Sequence, residues 1–338
     1  MIRKFVLENC GPLKKVEWEV SPKINLIIGP NGSGKSLLLK MLYVITRATE
    51  GYQRGDDVRS FKQILNDKLR GTFQLKHIGD LVRKGSSNHL RCDCKLDGQQ
   101  IYFSFTRSAG HGVGEISKLV TPRRDAVSLF LPPKEILSLM PIIETSRLQD
   151  RLFGFDDSYL DLAIAVKRPP QKGNNYPDLV RARKQLSKLL HGRLAREDKQ
   201  WIFKEGQVKH PIQITAEGTK RLALVDRLIE NRTLTPNSIL FVDEAEATLH
   251  PRAVAAFMEI LYLLSKAGTQ VFLASHSYFV LKHLYVIAKR ESVNIQTISF
   301  IDTSQYTITD LSKEMPDNPI IDASIALYEN ELDVELQG

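Results

Sequence analysis

Apolar and polar residues alternate from Met1 to Asn9 as they do along a half-buried strand, and the pattern predicts strands over Ile2–Leu7 and Val16–Val20. Gly11-Pro12 and Ser21-Pro22 punctuate them as turns. A buried type of strand follows at Ile24–Ile28, then a glycine-rich loop, then a helical pattern from Ser36 to about Ile45. From Thr215 the chain alternates regularly. Helices are predicted at Glu217–Glu230, Pro251–Ser265 and Tyr278–Arg290, and strands at Ser238–Val242, Gln270–Ala274 and Asn294–Ile301. Parallel neighbours need a long connection, so strands separated by helices of this length imply βαβ crossovers and a mainly parallel sheet.

The middle is less regular. Leu90–Arg107 alternates as a hairpin about Asp97-Gly98. Gly110, Gly112 and Gly114 make a loop, and helical patterns return at Ser158–Val166 and Tyr176–Leu190 with an exposed loop between them. The expected fold is α/β: a mainly parallel sheet flanked by helices, an antiparallel β part at the N-terminus, and an inserted, mostly helical middle segment. The expected division is a core of residues 1–50 and 211–302, an insert over 51–210, and a peripheral segment over 303–338.

Composition narrows the class only a little. Of 338 residues, 42% are hydrophobic and 25% charged, enough for one large core with insertions. No apolar run approaches the roughly 20 residues that span a bilayer, and Met1–Asn9 lacks the basic start and apolar stretch of a secretory signal. A cytoplasmic protein without a membrane partner is expected. Cys92 and Cys94 share one face of a predicted strand, and no second ligand pair follows at zinc spacing, so the cysteines read as structural. The net charge of +8 favours polyanions in general and identifies none.

Chemistry enters at Gly29-Pro30-Asn31-Gly32-Ser33-Gly34-Lys35-Ser36, which fits G-x-x-x-x-G-K-[ST] between a strand and a helix. Glycines let the main chain wrap phosphates with its N–H groups inward, and the helix N-terminus adds partial positive charge. Lys35 would reach the β- and γ-phosphates of ATP, and Ser36 would ligate Mg2+. A second signal is the apolar strand that ends in Asp243-Glu244, where ligands bind in open α/β sheets. Asp243 would hold Mg2+, and Glu244 would orient and deprotonate the attacking water. The next strand ends at Ser275-His276-Ser277, and His276 is placed to contact the γ-phosphate.

Together these segments resemble the ABC-type P-loop ATPases, in the branch containing SMC-like, RecF-like and OLD-like proteins. Gly29–Ser36 matches Walker A, Ile239–Glu244 matches Walker B, and His276 matches the switch histidine. The run Glu246–Pro251 is similar to the acidic-then-Leu-His-Pro run of stand-alone members, including those of bacterial anti-phage defence modules. Thr215-Ala216-Glu217-Gly218-Thr219-Lys220-Arg221 takes the place of the family's signature. There the resemblance implies a homodimer or higher homo-oligomer that sandwiches ATP, with Thr215, Glu217 and Gly218 contacting the partner's nucleotide. The usual serine is replaced: either Thr215 supplies the hydroxyl, or the Gly218 N–H does more of the work. A helix start with an acidic first turn explains the same residues without a partner.

Two functions follow. In the first, an ATP-driven assembly senses a trigger and controls a separate effector, a nuclease or toxin, in a defence or toxin-like system. The 62 residues after His276 are too few for the nuclease domain of OLD proteins, so the effector is expected on another chain. In the second, a RecF- or SMC-like ATPase binds nucleic acid through Arg181, Arg183, Lys184, Lys188, Arg193, Arg196 and Lys199. A solvated helix face accounts for the same charges. Leu131-Pro132-Pro133-Lys134-Glu135 resembles a segment of related ATPases and receives no ligand role.

Overall fold

The structure, a computed structural model, describes residues 1–338 apart from 110–111, 118–123, 151, 174, 199 and 338; Gly110 and Lys199 therefore lie outside the described residues. In chain order, β1 (Ile2–Cys10), β2 (Leu13–Glu19) and β3 (Ile24–Ile28) lead into α1 (Lys35–Gly51) and α2 (Phe61–Phe73). Then come β4 (Leu90–Leu96), β5 (Gln99–Phe105), β6 (Glu115–Ile116) and β7 (Ser128–Leu131). Helices α3 (Met140–Glu144), α4 (Asp157–Lys167) and α5 (Pro177–Leu190) precede β8 (Arg193–Glu197), β9 (Gln200–Glu205) and β10 (Val208–Pro211). The series closes with α6 (Glu217–Glu230), β11 (Ile239–Asp243), α7 (Pro251–Lys266), β12 (Gln270–Ser275), α8 (Tyr278–Glu291), β13 (Ile295–Phe300), β14 (Tyr306–Asp310) and α9 (Pro319–Gln337).

These strands form an antiparallel sheet in the order β2-β1-β4-β5-β6, a main sheet β14-β13-β3-β12-β11-β7, and a small sheet β10-β9-β8. In the main sheet β13, β3, β12, β11 and β7 run parallel, while β14 pairs antiparallel at one edge. Residues of β3, β11 and β12 are buried without exception, as expected for parallel strands covered on both faces. Both edge strands of this sheet, β7 and β14, come from outside residues 1–50 and 211–302.

Register is reinforced by aromatic rings. Phe130, Phe241 and Phe272 sit side by side on β7, β11 and β12, with Phe241 stacked on Phe272 at 5.4 Å and on Phe130 at 6.4 Å. Tyr43 of α1 meets Phe130 and Phe241 edge-on, and Trp18 of β2 meets Phe272 the same way. Each such contact adds about 0.5–1.5 kcal/mol beyond burial. Helix α1 is thereby clamped between the two larger sheets, with Leu38, Leu39, Met41, Leu42, Val44 and Ile45 fully buried. On the opposite face of the main sheet, β3, β7, β11 and β12 pack with helices α3 to α8 in a second core.

Candidate active site

All three chemical segments emerge at the carboxyl edge of the main sheet. Strand β12 lies between β3 and β11; Ile28 is opposite Ser275, and Asp243 is opposite Ala274. The loop after β3, the acids after β11 and His276 after β12 are thus adjacent by register alone. They line a cleft of about 400 Å³ open to solvent, shared by Asn31, Gly32, Gly34, Lys35, Ser36, Leu37, Asp243, Glu244, Ala274 and His276. Gly29, Pro30 and Ser33 complete the loop behind it.

The loop has the backbone that wrapping requires. Gly29, Gly32 and Gly34 have φ of 151°, 80° and 98°. A Cβ on Gly29 would lie 2.7 Å from Phe300 Cβ, so the tight turn against β13 demands glycine there. Lys35 Nζ donates to the carbonyls of Gly29 and Pro30, both at 2.8 Å. Burial lowers its proton affinity, against the pull of Asp243, Glu246 and Glu244. Ser33 Oγ is buried and has no hydrogen-bond partner, an orphaned donor within the loop.

Ser36 Oγ donates to Asp243 Oδ1 at 3.0 Å. Burial raises the Asp243 carboxyl above its ordinary range; the Ser36 bond opposes this and the neighbouring Glu244 adds to it. A hydroxyl and a carboxylate oxygen side by side suit a hard divalent ion that takes its other ligands from phosphates and water. The donor set therefore fits Mg2+ accompanying a nucleotide.

The chain leaves β11 through a strained turn. Glu244 and the β-branched Thr248 have φ of 49° and 63°, a region costing roughly 1–3 kcal/mol each for non-glycine residues. Such strain concentrates where side-chain direction matters. The Leu-His-Pro run is a helix start: His250 caps α7 by accepting from Arg252 N at 3.3 Å, with Pro251 at the first helical position.

At the head of α6 the N-cap is Ala216, which supplies no side-chain hydrogen bond. Thr215 is not the cap; its hydroxyl donates to Pro211 O at 3.2 Å. Glu217 is exposed, and the first-turn N–H groups are left open. Gly218 packs inward: a Cβ there would sit 2.8 Å from Thr248 O. These residues stand apart from the cleft around Lys35, as the structure gives them no place in its lining.

Sequence reasoning overlooked two side chains here. Arg221, buried and pushed down to about 10 by that burial, donates to Asp243 O at 2.8 Å and to Pro133 O at 3.3 Å, bracing the back of β11. Glu246 turns back onto the end of β12 and accepts from Ser275 Oγ and His276 N. Their positions inside the quoted segments were legible, but their partners are tertiary.

Fold and site together define a P-loop ATPase with an ABC-type core. The family described as "AAA domain, putative AbiEii toxin, Type IV TA system" matches residues 126–282, and one described as "AAA domain" matches residues 4–126. Both matches are to AAA-type ATPase domains, each over less than half of the chain, and they are consistent with a likeness to the P-loop ATPase branch with SMC-like and OLD-like proteins. It is 31% identical over 82 residues to the DNA double-strand break repair Rad50 ATPase of Nanoarchaeum equitans, a match covering 22% of this chain and 10% of that one. It is 33% identical over 95 residues to the Old nuclease of Escherichia phage P2, covering 22% of this chain and 16% of the nuclease. The chain thus spans a small part of the curated relatives it matches. An SMC head bound to the C-winged helix domain of ScpA shares its fold at TM-score 0.52 and 17% identity, covering 92% of this chain and 98% of the head. No helix among the described residues is long and apolar enough to cross a membrane.

Proposed function

We propose that the cleft hydrolyses ATP with Lys35 on the β- and γ-phosphates, Ser36 and Asp243 as ligands of Mg2+, and Glu244 as the base. Gly29–Gly34 would cradle the phosphates through main-chain N–H groups and the Ser33 hydroxyl. Mg2+, when bound, supplies neutralisation of the phosphate oxygens. Glu244 orients a water for in-line attack on the γ-phosphorus and takes its proton, while ADP leaves with the bridging oxygen. His276 contacts the γ-phosphate. The observation that carries this reading is the Ser36–Asp243 pair beside the Lys35 loop.

The uncapped first turn of α6 supports a second step, assembly. Open N–H groups on Glu217 and Gly218 form an anion-seeking end that a second copy's ATP would satisfy, and Thr215 would join them by turning its hydroxyl away from Pro211 O. Light scattering with and without ATP and Mg2+, on wild type and on Glu244→Gln, tests it. A larger species trapped by the variant with ATP is expected; a mass that never responds to nucleotide removes Thr215, Glu217 and Gly218 from the nucleotide's surroundings.

The matched family's description names a toxin, and one relative is a phage nuclease. We place the chain accordingly in a bacterial defence or toxin-like system, as a cytoplasmic assembly that senses a trigger and controls a separate effector. The alternative, a DNA-maintenance ATPase, is favoured by the Rad50 relative and by Lys184 and Lys188, both exposed on α5. Hydrolysis stimulated by DNA with steep salt dependence would select the alternative.

A further inference from the structure

Glu246 lies two residues beyond the proposed base, and the tight turn Glu244–Ala247, closed by Ala247 N donating to Glu244 O at 2.9 Å, throws its side chain back across the sheet edge. It is mostly buried, at 15% exposure, and it lands on the end of β12. Its Oε1 accepts from Ser275 Oγ at 2.9 Å and from His276 N at 3.1 Å, and its Oε2 accepts from Ser275 Oγ at 2.9 Å. His276 Nδ1 stands 3.4 Å from the same Oε1. Ser275 Oγ in turn accepts from Ser277 N at 3.0 Å, which fixes the start of α8. One carboxylate therefore holds the main chain of His276 and faces its ring nitrogen.

From this geometry we propose that Glu246 is the positioning residue of His276, turning Nδ1–H toward its carboxylate so that Nε2–H, on the opposite edge of the ring, donates to the γ-phosphate. The inference rests on the proposed role of His276. A carboxylate behind a histidine keeps a proton on the nitrogen it faces and arrests the ring's rotation. Because the brace and the base share the loop after β11, a shift in Glu244 would also be felt at His276.

The test combines kinetics with a spectroscopic readout. Loss of an orienting partner costs about 10–100-fold at metal-bound histidines, and Glu246→Ala is expected to lower kcat on that order with KM for ATP little changed. In a His276→Ala background the same change is expected to cost almost nothing further, since both act through one ring. Glu246→Gln, which keeps an acceptor for Ser275 and His276 N, should fall between. Nitrogen-15 NMR of histidine-labelled protein, with His276→Ala to assign the signal, should show Nδ1 protonated in wild type and tautomer-averaged in Glu246→Ala. An unchanged Nδ1 signal, or an equal loss in both backgrounds, overturns the proposal. A His276→Ala enzyme at wild-type rate would remove the role of His276 instead, and the NMR signal alone then decides whether Glu246 orients the ring.

Discussion

Ser36 Oγ and Asp243 Oδ1 meet at 3.0 Å, joining the first turn of α1 to the end of β11 across 207 residues of chain. Both are expected to share one divalent ion, whereas Lys35 and the loop N–H groups hold phosphate without it. Ser36→Ala should therefore spare nucleotide binding in EDTA and lose most of the gain that Mg2+ brings. A hydrogen bond to a charged group is worth roughly 1.5–3 kcal/mol, so the gain should shrink about tenfold or more. Titration of a fluorescent ATP analogue with and without Mg2+ measures it. An undiminished gain would separate Ser36 from the ion.

Lys35 is predicted to matter to binding before it matters to chemistry. Its ammonium is fixed by the carbonyls of Gly29 and Pro30, so it is preset at the mouth of the loop. Lys35→Ala should weaken ATP by about 100-fold, as expected for two lost charge-assisted bonds. The rise in melting temperature that ATP gives wild type should vanish. Persistence of that rise would mean the loop N–H groups suffice.

Gly218 joins the head of α6 to the loop after β11, because a Cβ would press on Thr248 O at 2.8 Å and on Leu249 Cδ2 at 3.1 Å. The Thr248 backbone is already strained at φ 63° and has little room to yield. Gly218→Ala should destabilise the fold by about 1–3 kcal/mol and also slow hydrolysis, as the displaced loop carries Glu244. Denaturant unfolding and steady-state ATPase assays report the two effects. A variant of wild-type stability that still fails to assemble would make the contribution of Gly218 one of assembly alone.

How much of this was legible follows from how local each signal is. Gly29–Ser36 and the Asp243-Glu244 strand end declare themselves because strand, loop and acid are contiguous in sequence. The Asp97-Gly98 turn was readable for the same reason; both residues adopt positive φ, 49° and 83°, as a tight hairpin requires. Helix α2 carried a local signal that went unread, the Ser60–Gln63 capping box. Strands β8 to β10 gave little signal: they are short and charged, and their few apolar residues, such as Leu194, Trp201 and Phe203, are buried only by distant helices. Arg193 and Arg196, grouped in sequence with the α5 cations, are on β8 instead. The partners of Glu246 and Arg221 are set by sheet register, which no single segment encodes.

The α5 cations divide by environment. Arg183 Nε donates to Asp226 Oδ1 at 2.9 Å and its Nη2 to Glu230 at 3.3 Å, holding a buried aspartate in place. Arg183→Ala should therefore destabilise the fold, whereas Lys184→Glu with Lys188→Glu should change stability by no more than about 0.5 kcal/mol each. Under the effector reading, the double variant hydrolyses ATP at the wild-type rate with or without DNA. A DNA-stimulated wild-type rate that the double variant loses would move the function to the DNA-maintenance alternative. Each phosphate contact removed should also lower the salt slope of DNA binding by about 1.

Asp161 of α4 is the hub between α1, α2 and α4, and it gives the clearest pH prediction. Its Oδ2 accepts from Tyr43 OH at 2.6 Å, Arg47 Nε at 3.0 Å and Lys68 Nζ at 3.2 Å. Burial alone would raise its carboxyl, but Arg47, Lys68 and these bonds outweigh burial and hold it well below the usual carboxylate range. The unfolded chain thus binds this proton more tightly than the folded one, so the stabilisation is complete above the unfolded value, about 3.9, and is lost as pH falls below it. At pH 7 Asp161→Asn should cost about 3 kcal/mol, the lower end for breaking a buried pair. Glu50 also pairs with Arg47 and Asp157 with Lys68, so neither cation is left wholly uncompensated. Urea unfolding of both proteins at pH 7 and near pH 3 should show the gap narrowing in acid. A gap of equal size at both would mean that Asp161 supports the helices by shape and hydrogen bonding, with its charge contributing nothing.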